Sequence, residues 1–187
     1  MSLVPAFEIG IWNAWIFMLY NFLPMPFLTL MHRPGDPVPP SDSEKKLRPF
    51  AWVVWILGFI YSVFLPLKLG TVWFYIGLPI ALVGLITFTM VMVTFFRTPV
   101  DVEPLTTGLY RYSRHPMYVT QALMFIGVGI ACASWLFLLF TVVYTILPIM
   151  SARSEEQSCL DKYGDAYREY MNRTPRWLGL PKSVKER

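Results

Sequence analysis

The chain has 187 residues, of which 55% are hydrophobic, 17% aromatic and only 15% charged, with a formal net charge of +4. That balance excludes an ordinary water-soluble domain, which carries more charge and fewer long apolar runs. The surplus of Lys and Arg lies beside apolar runs, as the cytosolic flanks of membrane spans require, and no separate basic domain offers a nucleic-acid surface.

The first apolar run covers about 9–31. Glu8 precedes it but no Lys or Arg does, and it is too long for the core of a cleaved signal, so it is expected to stay in the mature protein. Pro24 and Pro26 should kink or end this helix, and Asn13 and Asn21 should face other helices rather than lipid. A polar, proline-rich loop is expected over 32–49. The second span should cover 50–67, with Lys68 marking a short turn, and the third 71–96. Trp52, Trp55 and Trp73 fall near the predicted ends, where aromatic belts form.

A polar stretch at 97–116 is followed by 117–150, which has no charged residue. As one helix that run would measure ~50 Å, against a hydrocarbon core of ~30 Å. Two paired helices turning near Ala133-Ser134-Trp135 fit better. Charge placement supports this. Lys and Arg number four in 32–49, one at Lys68, three in 97–116 and eight after Met150. With five spans the four, three and eight share one side, so the positive-inside rule places the N-terminus outside and the C-terminus in the cytosol. The host membrane is a cell membrane or endoplasmic reticulum.

The segment 151–187 should open with an amphipathic cytosolic helix bearing Leu160, Tyr163, Tyr167 and Tyr170 on one stripe, until Pro175 and Pro181 break it. The expected fold is therefore an all-α integral membrane protein with about five spans, the last two forming a hairpin. It is one domain with an N-terminal part, 1–96, and a cofactor-binding half, 97–187.

Neither cysteine suggests a metal or disulfide site: Cys132 is in an apolar run, Cys159 in a polar one, and no CxxC spacing or acidic cluster surrounds them. Two polar clusters do carry chemistry. One is GLYRYSRHPMY at 108–118. The other holds Arg153, Glu155 and Glu156, then Tyr163, Tyr167 and Tyr170. A hairpin between them would bring residues about forty apart in sequence to one site where lipid meets water. Tyrosines there can wall a nucleoside base, Arg111, Arg114 and His115 can donate to a carboxylate, and Glu155 and Glu156 can accept from hydroxyls or an ammonium. Taken singly, these residues also fit snorkelling cations, helix first-turn carboxylates and interfacial tyrosines. Their combination on one side points to a site.

The string at 108–118, the EE pair about forty residues later, YGDAYREY and PRW together resemble the isoprenylcysteine carboxyl methyltransferase and phospholipid methyltransferase superfamily, over roughly 99–181. The resemblance implies a membrane methyltransferase that holds S-adenosylmethionine in its C-terminal half and admits an apolar or lipid-like acceptor from the bilayer. It places Val102, Glu103, Pro104, Leu105, Tyr110, His115, Pro116, Met117, Tyr118 and Glu155 on the cofactor. Tyr163-Gly164 replaces the usual Phe-Gly.

One departure concerns the acceptor. The carboxyl methyltransferases carry an arginine four residues before the cofactor glutamate, where this chain has Ser151. Arg153, about 200° further around a helix, is the remaining candidate catalytic contact to the acceptor. The missing arginine favours an amine, thiol or hydroxyl over a carboxylate, because a carboxylate leaving water needs a cation to meet it. A sulfonium carries its own leaving group, so no general base is assigned. The rival readings are an NADPH-dependent sterol-type reductase and a non-enzymatic membrane scaffold.

Overall fold

A computed structural model describes residues 7–20, 38–99 and 103–182. Its elements are α-helices α1 (Trp15–Tyr20), α2 (Asp42–Val63), α3 (Val72–Arg97), α4 (Pro116–Ala131), α5 (Trp135–Tyr163) and α6 (Asp165–Arg173), with a 3-10 turn at Gly108–Arg111. No strand occurs among the described residues. The 13–66 pairing is an isolated bridge, made by the Ala14 amide to the Leu65 carbonyl (2.9 Å) and the Leu67 amide to the Trp12 carbonyl (2.9 Å); beside it, buried Asn13 donates from Nδ2 to the Val63 carbonyl (2.8 Å) and ties this segment to the end of α2.

Helix α2 begins earlier than the sequence suggests. It starts at Asp42, within the expected 32–49 loop, because the Ser41 hydroxyl caps the Glu44 amide (3.2 Å) and Asp42 and Glu44 favour the first turn. Pro49 sits inside this helix. It removes an amide that would bond the Lys45 carbonyl, at an exposed turn where water can take the vacant acceptor. The helix also stops at Val63, earlier than Leu67, because residues 65–67 bond to the segment before α1 instead. Helix α3 matches its expected span, with Thr71 as its cap.

Helices α3 and α4 approach to backbone contact. A Cβ on Gly77 would collide with the backbone of Ala131, one on Gly84 with Met124, and one on Gly127 with Ala81. Without an aqueous driving force between helices, small residues that admit close packing hold them together. The expected break in 117–150 falls at residues 132–134. Ala133 takes a left-handed φ of 51°, and Ser134 caps α5 by accepting from the Phe137 amide (3.2 Å). Beside the turn, Phe125, Phe137, Phe140 and Tyr144 form an aromatic cluster.

No separate amphipathic helix begins at Ser151. Helix α5 runs unbroken to Tyr163 because no glycine or proline interrupts 151–163. Gly164, with φ of 57°, then turns the chain into α6, which ends before Pro175.

Helices α2, α3 and α5 are long and apolar enough to cross a membrane. Their outward faces bear exposed Val53, Leu57 and Ile60 on α2 and Leu139, Val142 and Ile146 on α5, as lipid contact requires. Helix α4 is apolar but has 16 residues, a rise of ~24 Å. Of the first expected span, residues 9–20 are described and are helical only from Trp15; Asn21, Pro24 and Pro26 lie outside the described residues.

Candidate functional site

The polar ends of α4 and α5 meet around two adjacent carboxylates. Pro116 opens α4 at a position where its missing amide costs nothing. One turn in, the Tyr118 hydroxyl donates to Glu155 Oε1 (2.7 Å). His115, just before the helix, has Nδ1 3.4 Å from Glu155 Oε2 and Nε2 3.2 Å from Glu156 Oε1. Only an imidazolium can donate from both nitrogens. Burial alone would lower the His115 pKa, but hydrogen bonds and charge from Glu155 and Glu156 outweigh it and hold the pKa above 6.5. The ring stacks on Tyr118, with centroids 5.6 Å apart.

Glu156 is the more buried of the pair, with its side chain 3% exposed against 21% for Glu155. Arg176 grips it through Nε to Oε1 (3.0 Å) and a terminal nitrogen to Oε2 (2.6 Å), the fork geometry typical of guanidinium and carboxylate. Arg114 Nε lies 3.2 Å from Glu156 Oε1, within ion-pair distance but misaligned for a hydrogen bond, so this buried donor has no hydrogen-bond partner. Backbone pairing delivers Arg176 to the carboxylate. The Arg114 amide bonds the Pro175 carbonyl (3.0 Å), the His115 amide that of Arg176 (3.3 Å), and the Gly179 amide that of Tyr112 (3.0 Å). The Tyr170 hydroxyl donates to the Tyr110 carbonyl (2.7 Å) and locks α6 against the 3-10 turn; burial raises the pKa of Tyr170 and of Tyr167.

Beside this cluster lies a cavity of about 280 Å³. Its wall includes Pro104, Leu105, Tyr110, His115, Pro116, Met117, Tyr118 and Glu155, all named from the sequence. Glu103 instead lines a different cavity, with Arg111 and Arg173, and Val102 lies outside the described residues. Arg153 is on the exposed face of α5 and lines none of the described cavities, as its angular offset from buried Ser151 dictates. Sequence reasoning did not identify Arg176, the central position of Glu156, or the part of the wall supplied by Val38, Pro39 and Glu44. The PRW string at 175–177 was the one available signal for Arg176.

The profile of the phospholipid methyltransferase family matches residues 65–166, more than half of the chain. The chain belongs to that family. Its match to the phospholipid methyltransferases holds all of α3, α4 and α5, including His115, Tyr118, Glu155 and Glu156. Among curated proteins, methanethiol S-methyltransferase 1 of Bradyrhizobium diazoefficiens is 32% identical over 89 residues, 48% of this chain and 28% of that protein. The Delta(14)-sterol reductase of Mus musculus is 37% identical over 73 residues, 38% of this chain and 18% of the reductase. The matches thus span less than a third of either relative. A solved structure of the eukaryotic intramembrane Ras methyltransferase, isoprenylcysteine carboxyl methyltransferase, superposes with a TM-score of 0.52 at 23% identity, covering 75% of this chain and 55% of that one. That likeness is one of fold.

Proposed function

We propose that this membrane protein transfers a methyl group from S-adenosylmethionine to an apolar or lipid-like acceptor. The observation that carries the reading is Glu155, held by Tyr118 and His115 at the wall of an aromatic-lined cavity within the segment matched to the family. The residues fit the cofactor by chemistry. Tyr110, Tyr163 and Tyr167 offer faces to a nucleobase, Glu155 accepts from hydroxyls or an ammonium, and Arg114 brings a buried donor without a hydrogen-bond partner for a carboxylate.

When bound, S-adenosylmethionine supplies a methyl group on a sulfonium that leaves by itself. The chain's task is then alignment and dryness. His115 and Tyr118 fix the Glu155 carboxylate, while Met117, Leu105 and Phe95 keep the wall apolar and exclude water. Alignment of this kind lowers barriers by ~7–11 kcal/mol. Pro104, Leu105, Tyr110, Pro116 and Met117 complete the proposed cofactor wall. Charge placement supports a cytosolic C-terminus and an external N-terminus, as reporters fused at Arg187 and Met1 would read.

The local identity to a sterol reductase favours NADPH as the second reading. Calorimetry on detergent-purified full chain separates the two. Binding of S-adenosylhomocysteine and not NADPH is expected; the reverse would replace the methyltransferase with a reductase, and binding of neither would favour a scaffold.

A further inference from the structure

The polar end of the molecule carries one apolar patch. Among the described residues after Met150, the large hydrophobic side chains that stand exposed are Leu178 and Leu180, at 73% and 84%. Helix α6 presents none. Tyr112, 42% exposed, lies against them, because Gly179, flanked by the two leucines, bonds the Tyr112 carbonyl through its amide (3.0 Å). The patch therefore belongs to the clasp of 175–179 against 112–115 that carries Arg176 to Glu156.

The depth of the clasp says what covers the patch. Arg114 and His115, whose amides the clasp engages, directly precede Pro116, the first residue of apolar α4. On α5 the charge-free run ends at Met150, ~8 Å short of Glu155 along the helix. Lipid headgroups extend ~5–8 Å beyond the hydrocarbon on each side, so the clasp lies among them. Tyr112 and Trp177 are the residue types enriched at this depth, and the Trp177 ring centroid is 5.5 Å from that of His115. Leucines exposed at the headgroup layer meet acyl chains, whereas on a face toward water they would form an unfavourable patch.

Charge narrows the partner further. Arg111 and Lys182 flank the patch, exposed and without an ion-pair partner among the described residues. They line one cavity with Glu103 and with the ion pair of Glu169 and Arg173, which leaves a surplus of a single positive charge. A surplus that small makes apolar contact, rather than attraction to anionic lipid, the main tie.

We infer that Tyr112, Leu178 and Leu180 dip into the leaflet on this side of the membrane and that lipid contact holds the clasp closed. The grip of Arg176 on Glu156 then depends on the bilayer. Acyl chains press the clasp from one side while its three backbone hydrogen bonds pin it from the other; without lipid, those bonds alone keep 175–179 in place. The inference does not depend on the methyl-transfer reading, since it uses only the membrane depth of the clasp.

The test uses the full chain in phosphatidylcholine nanodiscs. With p-benzoylphenylalanine in place of Leu180, ultraviolet light should cross-link the protein to lipid, as mass spectrometry of the adducts reads. The same group in place of exposed Asp161, ~17 Å beyond Met150 along α5, should give little lipid adduct. Leu178→Ser combined with Leu180→Ser removes no internal packing, because both side chains are exposed in the folded chain. In nanodiscs, amide hydrogen exchange in 112–115 and 175–179 should nevertheless rise about tenfold in this double variant, while α3 and α4 keep their protection. Leu178→Phe with Leu180→Phe should keep the slow exchange. Unchanged exchange in the serine variant would overturn the inference, as would cross-links from position 180 only to a second copy of the chain, which would make the patch a dimer face.

Discussion

Helix α4 is joined to its two neighbours, α3 and α5, in two different ways. Along the apolar length of α3 and α4, Gly77, Gly84 and Gly127 let backbone meet backbone, with no charge involved. At the polar end, α4 and α5 are joined by buried Glu156 and the cations around it. The first device depends on shape and tolerates no added atom. The second depends on charge balance and tolerates no lost partner. Shape sets where the helices run; charge sets where the site's side chains point.

The largest effect should come from breaking the first device. Gly127→Val places a branched side chain against the backbone of Ala81, which no rotamer change relieves. Folded protein should be lost from detergent extracts, as size-exclusion chromatography would show. A monodisperse variant with native thermal stability would mean that the two helices do not touch this closely.

Next comes the charge balance. Glu156→Gln leaves buried Arg114 and half-buried Arg176 facing a neutral amide and should cost about 3 kcal/mol of stability, read as a lowered unfolding midpoint. Glu155→Gln should cost less stability, because its side chain is more exposed. It should instead weaken S-adenosylhomocysteine binding about tenfold or more, the loss of a charged hydrogen bond of ~1.5–3 kcal/mol. Equal losses of affinity in the two variants would erase the distinction between anchor and hub.

The smallest effect concerns pH. Because the His115 pKa is raised in the folded protein, its contribution is fully present below about 6.5, the unfolded value, and fades as pH rises through the raised value. Stability measured upward from pH 6 should therefore decline more steeply for the unaltered protein than for His115→Gln. Parallel slopes would show that the ring is not held as an imidazolium.

Much of this was readable from residue order alone. The α3 span, the turn at 132–134 and the meeting of His115 and Tyr118 with Glu155 follow from apolar run length and from motifs spaced about forty residues apart. The start of α2 was not readable, because Pro49 is a strong break signal and the Ser41 cap is a weak start signal. Nor was the role of Arg176. It reaches Glu156 through irregular backbone pairing of 175–179 with 112–115, which leaves no periodic mark in the sequence. Residue order gave Glu155 and Glu156 the same acceptor role, whereas one residue along a helix turns a side chain ~100°, toward different company.

That backbone clasp has a consequence for the order in which the protein is made. A nascent chain that has reached only Arg173 already contains the three long apolar helices and both carboxylates. It still lacks the guanidinium that grips Glu156 and the amides and carbonyls that pin residues 112–115. The site can therefore be completed only when the stretch of chain that follows α6 has been made and has folded back onto residues 112–115.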